Sequence, residues 1–225
     1  MCNTTLNCRT LQFALDKFAS PINVDLYETN LRVTNTIFIR KPRVSIFTSA
    51  TISCAAWPCL QGSPSASSFQ ISGAVFAGPA TAGDVAIFFE SSTSFTSCTF
   101  RSFTVASGIV IAQTLGQLTV TGCTFTDNKP YDNEPDSPSA AIVAAYCSLT
   151  VTSTQFSQPL RGIFGAATQK ITILRSTFQN ALTYYQHGGA AIYARSGAGS
   201  AVVIRDSVFL RCACNSNQPT TLHGR

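Results

Sequence analysis

The chain has few charged residues, since only 11% of its 225 residues are Asp, Glu, Lys or Arg, against about 25% in an average soluble domain. Hydroxyl side chains supply the polar surface instead, with 25 Ser and 27 Thr. The 16 Phe residues exclude intrinsic disorder, because a disordered chain has too few apolar residues to form a core. Blocks of Ala, Glu, Lys, Leu and Arg are missing, which excludes a coiled coil or helical bundle.

Long apolar runs and basic clusters are missing too. No run reaches the roughly 18 apolar residues of a membrane-spanning helix, so we expect no transmembrane segment. The net charge of +5 is spread along the chain, apart from Arg40, Lys41 and Arg43. A nucleic-acid-binding surface needs a clustered basic stripe, so we expect no nucleic-acid partner. The two histidines, His187 and His223, supply little for His-dependent nucleophilic catalysis.

Cysteine is abundant, with nine residues. The short spacing of Cys54 and Cys59 predicts a disulfide, and Cys2 and Cys8 form a second candidate pair. Neither pair has the additional Cys or His ligands of a zinc site, so we expect no metal and no cofactor. Disulfides form in oxidising compartments. They favour an extracellular or cell-surface protein whose signal peptide is absent from this chain, with the lumen of an organelle as the alternative.

An eight-residue motif that ends in Phe recurs along the chain. Apolar residues stand seven and five places before the Phe, with Thr93 as the exception, and a small residue stands two places before it. This alternation is typical of a β-strand that the Phe closes. The motif occupies residues 69–76, 93–100, 118–125, 149–156, 171–178 and 202–209.

A second apolar strand recurs between the motifs, so that each repeat consists of a strand, a corner, a second strand and a turn. A repeat of this length without a helix cannot bury its apolar side alone and must stack on its neighbours. The sequence therefore predicts an all-β fold, a single-stranded right-handed parallel β-helix (solenoid) whose coils lie about 4.8 Å apart.

The two ends of the chain differ from the repeats. Residues 10–18 place Leu11, Ala14, Leu15 and Phe18 on one helical side, which predicts a short capping helix within an N-terminal cap of residues 1–20. The coils are predicted over residues 21–214, followed by a polar tail or truncated coil at 215–225. Because no second cap is visible, we expect a protein partner or a longer parent chain to cover the C-terminal end.

Two stretches resemble known families. Residues 8–15 followed by residues 22–26 resemble the N-terminal cap and first coil of parallel β-helix proteins of the pectate-lyase-like superfamily. Residues 178–180 with residues 188–192 resemble the Phe-x-x-Asn and Gly-Gly-Ala-Ile repeats of polymorphic outer-membrane-type surface proteins. The resemblance implies the fold over about residues 8–212. It also implies either a surface protein or an enzyme that cuts acidic polysaccharides with paired or Ca²⁺-binding carboxylates.

Two insertions carry the candidate binding residues, and we assign no catalytic residue. Aromatic side chains in one insertion either stack on a sugar ring or form a structural turn: Tyr184, Tyr185 and His187. The other insertion, residues 129–138, contains the candidate binding residues Tyr131 and Asp132. Its acidic residues form either a weak Ca²⁺ site or a solvated loop: Asp132, Glu134 and Asp136.

Hydroxyl side chains also stand six and four places before the motif Phe, which predicts an outward ladder. The ladder comprises Ser94, Thr96, Thr119, Thr121, Thr150, Thr152 and Thr172, and it is interrupted at Leu174, Val203 and Arg205. We expect a non-enzymatic structural or interaction module, surface-exposed or part of an assembly, that binds protein or glycan through a strand face or an inserted loop. The alternative is a polysaccharide lyase or glycoside hydrolase, and a minor alternative is an ice-binding solenoid that orders water on its Thr ladder.

Overall fold

A computed structural model describes residues 11–27, 29–79, 81–113, 116–131, 139–183, 190–195 and 200–214. Parallel strands form three long sheets. Sheet 1 consists of β1 (Ile22–Leu26), β4 (Val44–Thr48), β7 (Ser68–Ser72), β10 (Ser92–Thr96), β13 (Gln117–Thr121), β17 (Ser148–Thr152), β20 (Lys170–Leu174) and β24 (Ala201–Arg205). Sheet 2 consists of β2 (Asn30–Val33), β5 (Thr51–Cys54), β8 (Val75–Ala77), β11 (Thr99–Arg101), β14 (Thr124–Thr126), β18 (Gln155–Ser157), β21 (Thr177–Gln179) and β25 (Val208–Leu210).

Sheet 3 closes each coil. It consists of β3 (Ile37–Ile39), β6 (Leu60–Gly62), β9 (Gly83–Phe89), β12 (Thr104–Gln113), β16 (Ala140–Ala145), β19 (Arg161–Ala166) and β23 (Ile192–Arg195), with β15 (Lys129–Pro130) beside β12. A small fourth sheet pairs β22 (Leu182–Thr183) with β26 (Ala213–Cys214). Each strand pairs with its equivalent one coil away, which confirms the predicted all-β parallel β-helix.

Each coil contains three strands, so the two-strand repeat predicted from the sequence was wrong. The motif Phe does not close the first strand but lies in sheet 2, beyond a sharp corner. That corner is made by one residue per coil in the left-handed backbone region: Gly73, Ser97, Gly122, Ser153, Arg175 and Asp206, with φ between 49° and 82°. Because most of these residues are not glycine, the corner has no turn signal in the sequence.

The motif Phe side chains stack along the centre of the solenoid. Neighbouring ring centroids lie 4.5–5.1 Å apart, and the ring planes are within 10° of parallel. The stack consists of Phe76, Phe100, Phe125, Phe156, Phe178 and Phe209, of which all but the last are fully buried. Equivalent in-register positions therefore build the core, since each ring packs on its copy in the next coil.

From Cys98 onward, the small residue two places before the motif Phe hydrogen-bonds a buried backbone group, whereas Ala74 at the first such position cannot. The Cys98 N–H donates to the Cys123 Sγ at 3.4 Å, and the Cys123 N–H donates to the Thr154 Oγ1 at 3.4 Å. The Thr154 N–H donates to the Ser176 Oγ at 3.2 Å, and the Ser176 N–H to the Ser207 Oγ at 3.2 Å. This corner ladder explains why the position is small and polar in successive coils.

Helix α1 (Leu11–Lys17) covers the N-terminal end of the core, as predicted. Leu11, Ala14 and Leu15 are buried against the first coil. The Gln12 side chain also caps the first strand of sheet 3, because its Oε1 accepts the Phe38 N–H at 2.7 Å. The helix thus replaces both the apolar and the hydrogen-bonding contacts that a preceding coil would make.

The last described coil is open. Three residues of this coil, Val202, Ile204 and Phe209, occupy positions that are buried in earlier coils but are 42–46% exposed here. Their outward neighbours Val208 and Leu210 are 47–48% exposed. Strands β24 and β25 each pair on one side only among the described residues. The expectation that a protein partner or a longer parent chain covers this end stays a prediction.

Candidate functional site

The outer face of sheet 1 carries two columns of mostly short polar side chains, which apolar or long side chains interrupt at a few positions. The first column runs through Asn23, Ser45, Gln70, Ser94, Thr119, Thr150, Thr172 and Val203. The second runs through Asp25, Phe47, Ser72, Thr96, Thr121, Thr152, Leu174 and Arg205. The predicted hydroxyl ladder is therefore in register over successive coils, with about 4.8 Å between coils and about 6.7 Å between the columns.

Two shallow depressions lie along the first column and the start of the strands. One, of about 480 Å³, is lined by Ser92, Gly116, Gln117, Ser148, Leu149, Thr150, Gln169, Lys170 and Thr172. The other, of about 390 Å³, is lined by Pro21, Asn23, Arg43, Val44, Ser45, Ser68, Phe69, Gln70, Ser92, Thr93, Ser94, Gln117 and Thr119. They share Ser92 and Gln117, so together they form one trough, here called the sheet 1 groove.

The sheet 1 groove is long and almost neutral. It follows the outer face from β1 to β20, which is seven coils or about 29 Å along the solenoid axis. Its polar side chains are hydroxyls and amides, with the cations Arg43 and Lys170 far apart. Such groups donate and accept hydrogen bonds without requiring a charged ligand.

Lys170 illustrates how the register separates the charges. It pairs with Ser148 in the preceding coil and with Ala201 in the following one. Gln117 sits similarly between neutral neighbours, because its backbone N–H donates to the Ser92 Oγ at 3.2 Å and it pairs with Ser148. The groove therefore presents repeated neutral hydrogen-bonding groups rather than a concentrated charge.

Most of the binding residues predicted from the sequence lie outside the described residues: Tyr184, Tyr185, His187, Asp132, Glu134 and Asp136, as do Cys2 and Cys8 of the second candidate disulfide. Tyr131 is described and is 57% exposed. Its backbone N–H donates to the Val105 carbonyl of β12, which places it beside sheet 3 and away from the sheet 1 groove. Binding at the two insertions stays a prediction.

The disulfide predicted between Cys54 and Cys59 is present, with the two Cα atoms 5.3 Å apart. Cys98 and Cys123 are free buried thiols of the corner ladder. Cys147 is also a free, fully buried thiol. Its burial raises the pKa of the Cys147 thiol to about 11, because the thiolate would lose its hydration.

Three residues near the groove were missed by the sequence reasoning: Gln117, Lys170 and Tyr146. Gln117 and Lys170 begin their strands, and the hydroxyl pattern six and four places before Phe does not reach them. Tyr146 stands at the corner between β16 and β17, where its side chain is 61% exposed. The only signal for it in the sequence is a Tyr beside Cys147 and Ser148, just before a strand.

These observations define a β-solenoid with a polar outer groove, and comparison with known proteins agrees on the fold. A family model described as a right handed beta helix region matches residues 63–222, more than half of the chain. The chain belongs to this family, which confirms the predicted right-handed coiling. No curated protein matches the chain. The closer resemblances to the pectate-lyase-like superfamily and to polymorphic outer-membrane-type proteins stay predictions.

Two further features are absent from the part of the chain that the structure describes. No helix there has the length and apolar character needed to cross a membrane. Nor do three or more His, Cys, Asp or Glu side chains come together there as a metal site requires.

Proposed function

We propose that the chain is a non-enzymatic binding module that holds an extended neutral polysaccharide along the sheet 1 groove. The observation that carries the proposal is the register of the outer face. Hydroxyl and amide side chains recur at the same position in coil after coil along about 29 Å of the groove. An extended sugar chain is the ligand whose own hydroxyls recur in the same way.

The strength of such binding comes from repetition. A single hydrogen bond between neutral groups contributes only about 0.5–1.5 kcal/mol, because water competes for both partners. Seven coils offer many such bonds to one chain, and their short side chains lose little rotamer freedom when they bind. We place the module in an oxidising compartment, at the cell surface, in the extracellular space or in an organelle lumen. The Cys54–Cys59 disulfide supports this placement.

The test is affinity electrophoresis in native gels that contain galactomannan, xylan or polygalacturonate. We expect galactomannan or xylan to retard the wild-type chain, whereas Thr119→Phe, which fills the middle of the groove, abolishes the retardation. The matched control is Thr126→Phe, since Thr126 is a half-buried outward residue of sheet 2. Failure of both neutral polymers to retard the wild type, or retardation of Thr119→Phe equal to that of Thr126→Phe, refutes the proposal.

The alternative enzyme is tested with the same polymers. A glycoside hydrolase releases new reducing ends, and a lyase releases unsaturated ends that absorb in the ultraviolet. Release of either product from polygalacturonate, with or without Ca²⁺, favours the enzyme and rejects the non-enzymatic module.

A second candidate, ice binding, is favoured by one feature of the same face. Thr119 and Thr121 in β13 lie in register with Thr150 and Thr152 in β17, and both strands pair without a bulge. β-Branched side chains are restricted at χ1, so the four hydroxyls and methyls form a stiff flat array. Ice binding predicts thermal hysteresis that Thr121→Lys removes, and a wild-type solution without hysteresis rejects it.

A further inference from the structure

Tyr146 is an unusual residue for its position in the fold. Its φ is 56°, in the left-handed region that bulky side chains rarely adopt. The corner imposes this backbone, because Ala167 occupies the equivalent position one coil later with φ of 49°. The corner therefore accepts a small residue, and the tyrosine ring needs a different explanation.

Tyr146 is not among the residues that form the core or pack against it. The residue is 61% exposed, and among the described residues its ring and hydroxyl have no aromatic or hydrogen-bonding partner. Its backbone is anchored, since the Tyr146 N–H donates to the Ala166 carbonyl at 3.2 Å. Cys147, which follows, is fully buried. An exposed ring thus stands on a rigid backbone, which lowers the entropy lost when a ligand binds it.

Tyr146 is not itself a lining residue of the sheet 1 groove but precedes one by two positions, which places its backbone at the rim of the groove. Ser148, two residues further on and so at most about 7 Å away in Cα positions, lines the groove. The Ser148 N–H donates to the carbonyl of Gly116, and the Gln169 N–H donates to the carbonyl of Cys147. Gly116 and Gln169 also line the groove. Residues 147–148, which follow Tyr146, are therefore hydrogen-bonded to lining residues of both the preceding and the following coil.

We infer that Tyr146 is a sugar-stacking residue at this rim, where its ring packs on the apolar C–H face of one pyranose unit. The inference rests on the proposed function and adds the part of the site that selects a sugar ring. The face of an aromatic ring is electron-rich and attracts C–H groups. Hydroxyls and amides in the groove hydrogen-bond the sugar hydroxyls, and Tyr146 supplies the apolar contact that they lack.

The experiment compares Tyr146→Ala, Tyr146→Phe and Tyr27→Ala on whichever of galactomannan and xylan retards the wild type. Tyr27 is 91% exposed, and neither Asp25 nor Leu26 beside it lines the groove, so it is the matched control. We expect Tyr146→Ala to weaken the apparent affinity about three- to tenfold. Tyr146→Phe and Tyr27→Ala stay within twofold of the wild type. The thermal midpoint of Tyr146→Ala should not fall, because an alanine occupies the same corner in the next coil.

A second readout reports contact directly. Tetranitromethane nitrates exposed tyrosine rings, and peptide mass spectrometry locates each nitrated residue. Bound polysaccharide should protect Tyr146 and leave Tyr27 reactive. If the wild type binds but Tyr146→Ala binds equally, or both tyrosines are protected alike, the stacking role is rejected and the groove remains. If the wild type binds neither neutral polymer, the groove proposal and the stacking role both fall.

Discussion

The Phe stack makes the sharpest prediction about stability. Phe125 is fully buried and has a stacked ring on each side, with centroids 4.6 Å and 4.8 Å away. Replacing a core Phe by Ala destabilises a protein by about 3–5 kcal/mol, through lost burial and the cavity that remains. We expect this full range for Phe125→Ala. The total stability of a domain is about 5–15 kcal/mol, so the variant loses a large part of it.

Phe209 is the matched control at the open end of the same stack. It is 42% exposed and has one stacked neighbour, at 5.0 Å. Because Phe209 is already 42% exposed in the folded chain, Phe209→Ala should cost only about 2 kcal/mol. Phe125→Leu keeps most of the apolar volume and loses the ring stacking, so it should cost about 1–2 kcal/mol.

Urea unfolding measures these values by circular dichroism and by the fluorescence of Trp57, the single tryptophan. Trp57 packs on the core beside Phe103, so its fluorescence reports on one part of the solenoid. The two signals coincide if the coils unfold together, and separate if the gap at Phe125 splits the solenoid in two. Equal destabilisation by Phe125→Ala and Phe209→Ala refutes the role given to the stack.

Three more predictions concern the corners and a buried thiol. Gly73→Ala should lower the free energy of unfolding by about 3 kcal/mol or more, because the added Cβ would clash with the Thr48 carbonyl. Gly122→Ala should lower it by only about 1 kcal/mol, because the nearest atom to its added Cβ is 3.7 Å away, and thermal unfolding measures both values. Thr154→Val should lower the free energy of unfolding in urea by about 1–3 kcal/mol, because it leaves the Cys123 N–H unpaired. Thr154→Ser keeps the hydroxyl acceptor and should retain most of the wild-type stability. Equal losses in the two variants would contradict the role of the corner ladder. Between about pH 9 and 11 the unfolded Cys147 thiol ionises while the folded thiol does not, so stability should fall by up to about 3 kcal/mol as the pH rises. Cys147→Ala should flatten this fall, and an unchanged slope would exclude the thiol.

The fold could be predicted from the sequence because the same apolar core positions recur in each coil of a solenoid. Each inward position meets its own copy one coil away, so the Phe of residue 125 and the Phe of residue 156 had to be alike for the rings to stack. The corner could not be predicted, because its left-handed residue is glycine in only two of the six motif coils and is a residue such as Ser153 or Arg175 in the other four. Without a turn signal, two short strands and the corner between them appeared as one strand.

Only part of the groove could be predicted from the sequence, namely its column of hydroxyl side chains. Thr119 and Thr150 lie at a constant distance before the motif Phe, so the sequence alone aligned them correctly. Ser148 and Lys170 also pair, each eight places before its motif Phe, but a Ser and a Lys share no residue type that marks the position in the sequence, and the turns before them differ in length from coil to coil. Tyr146 stands in such a turn, which explains why its position at the groove rim required the structure.

The low charge of the chain also predicts how the groove binds its ligand. Stacked coils place equivalent residues about 4.8 Å apart, where like charges repel, and the sheet 1 face accordingly keeps its charges apart. Lys170 has Ser148 and Ala201 as neighbours, and Arg205 has Leu174. Binding through neutral hydrogen bonds is not screened by salt, so the affinity for a neutral polymer should change less than twofold between 50 and 500 mM NaCl. A tenfold loss over this range would contradict binding through neutral hydrogen bonds to the hydroxyl and amide side chains of the groove.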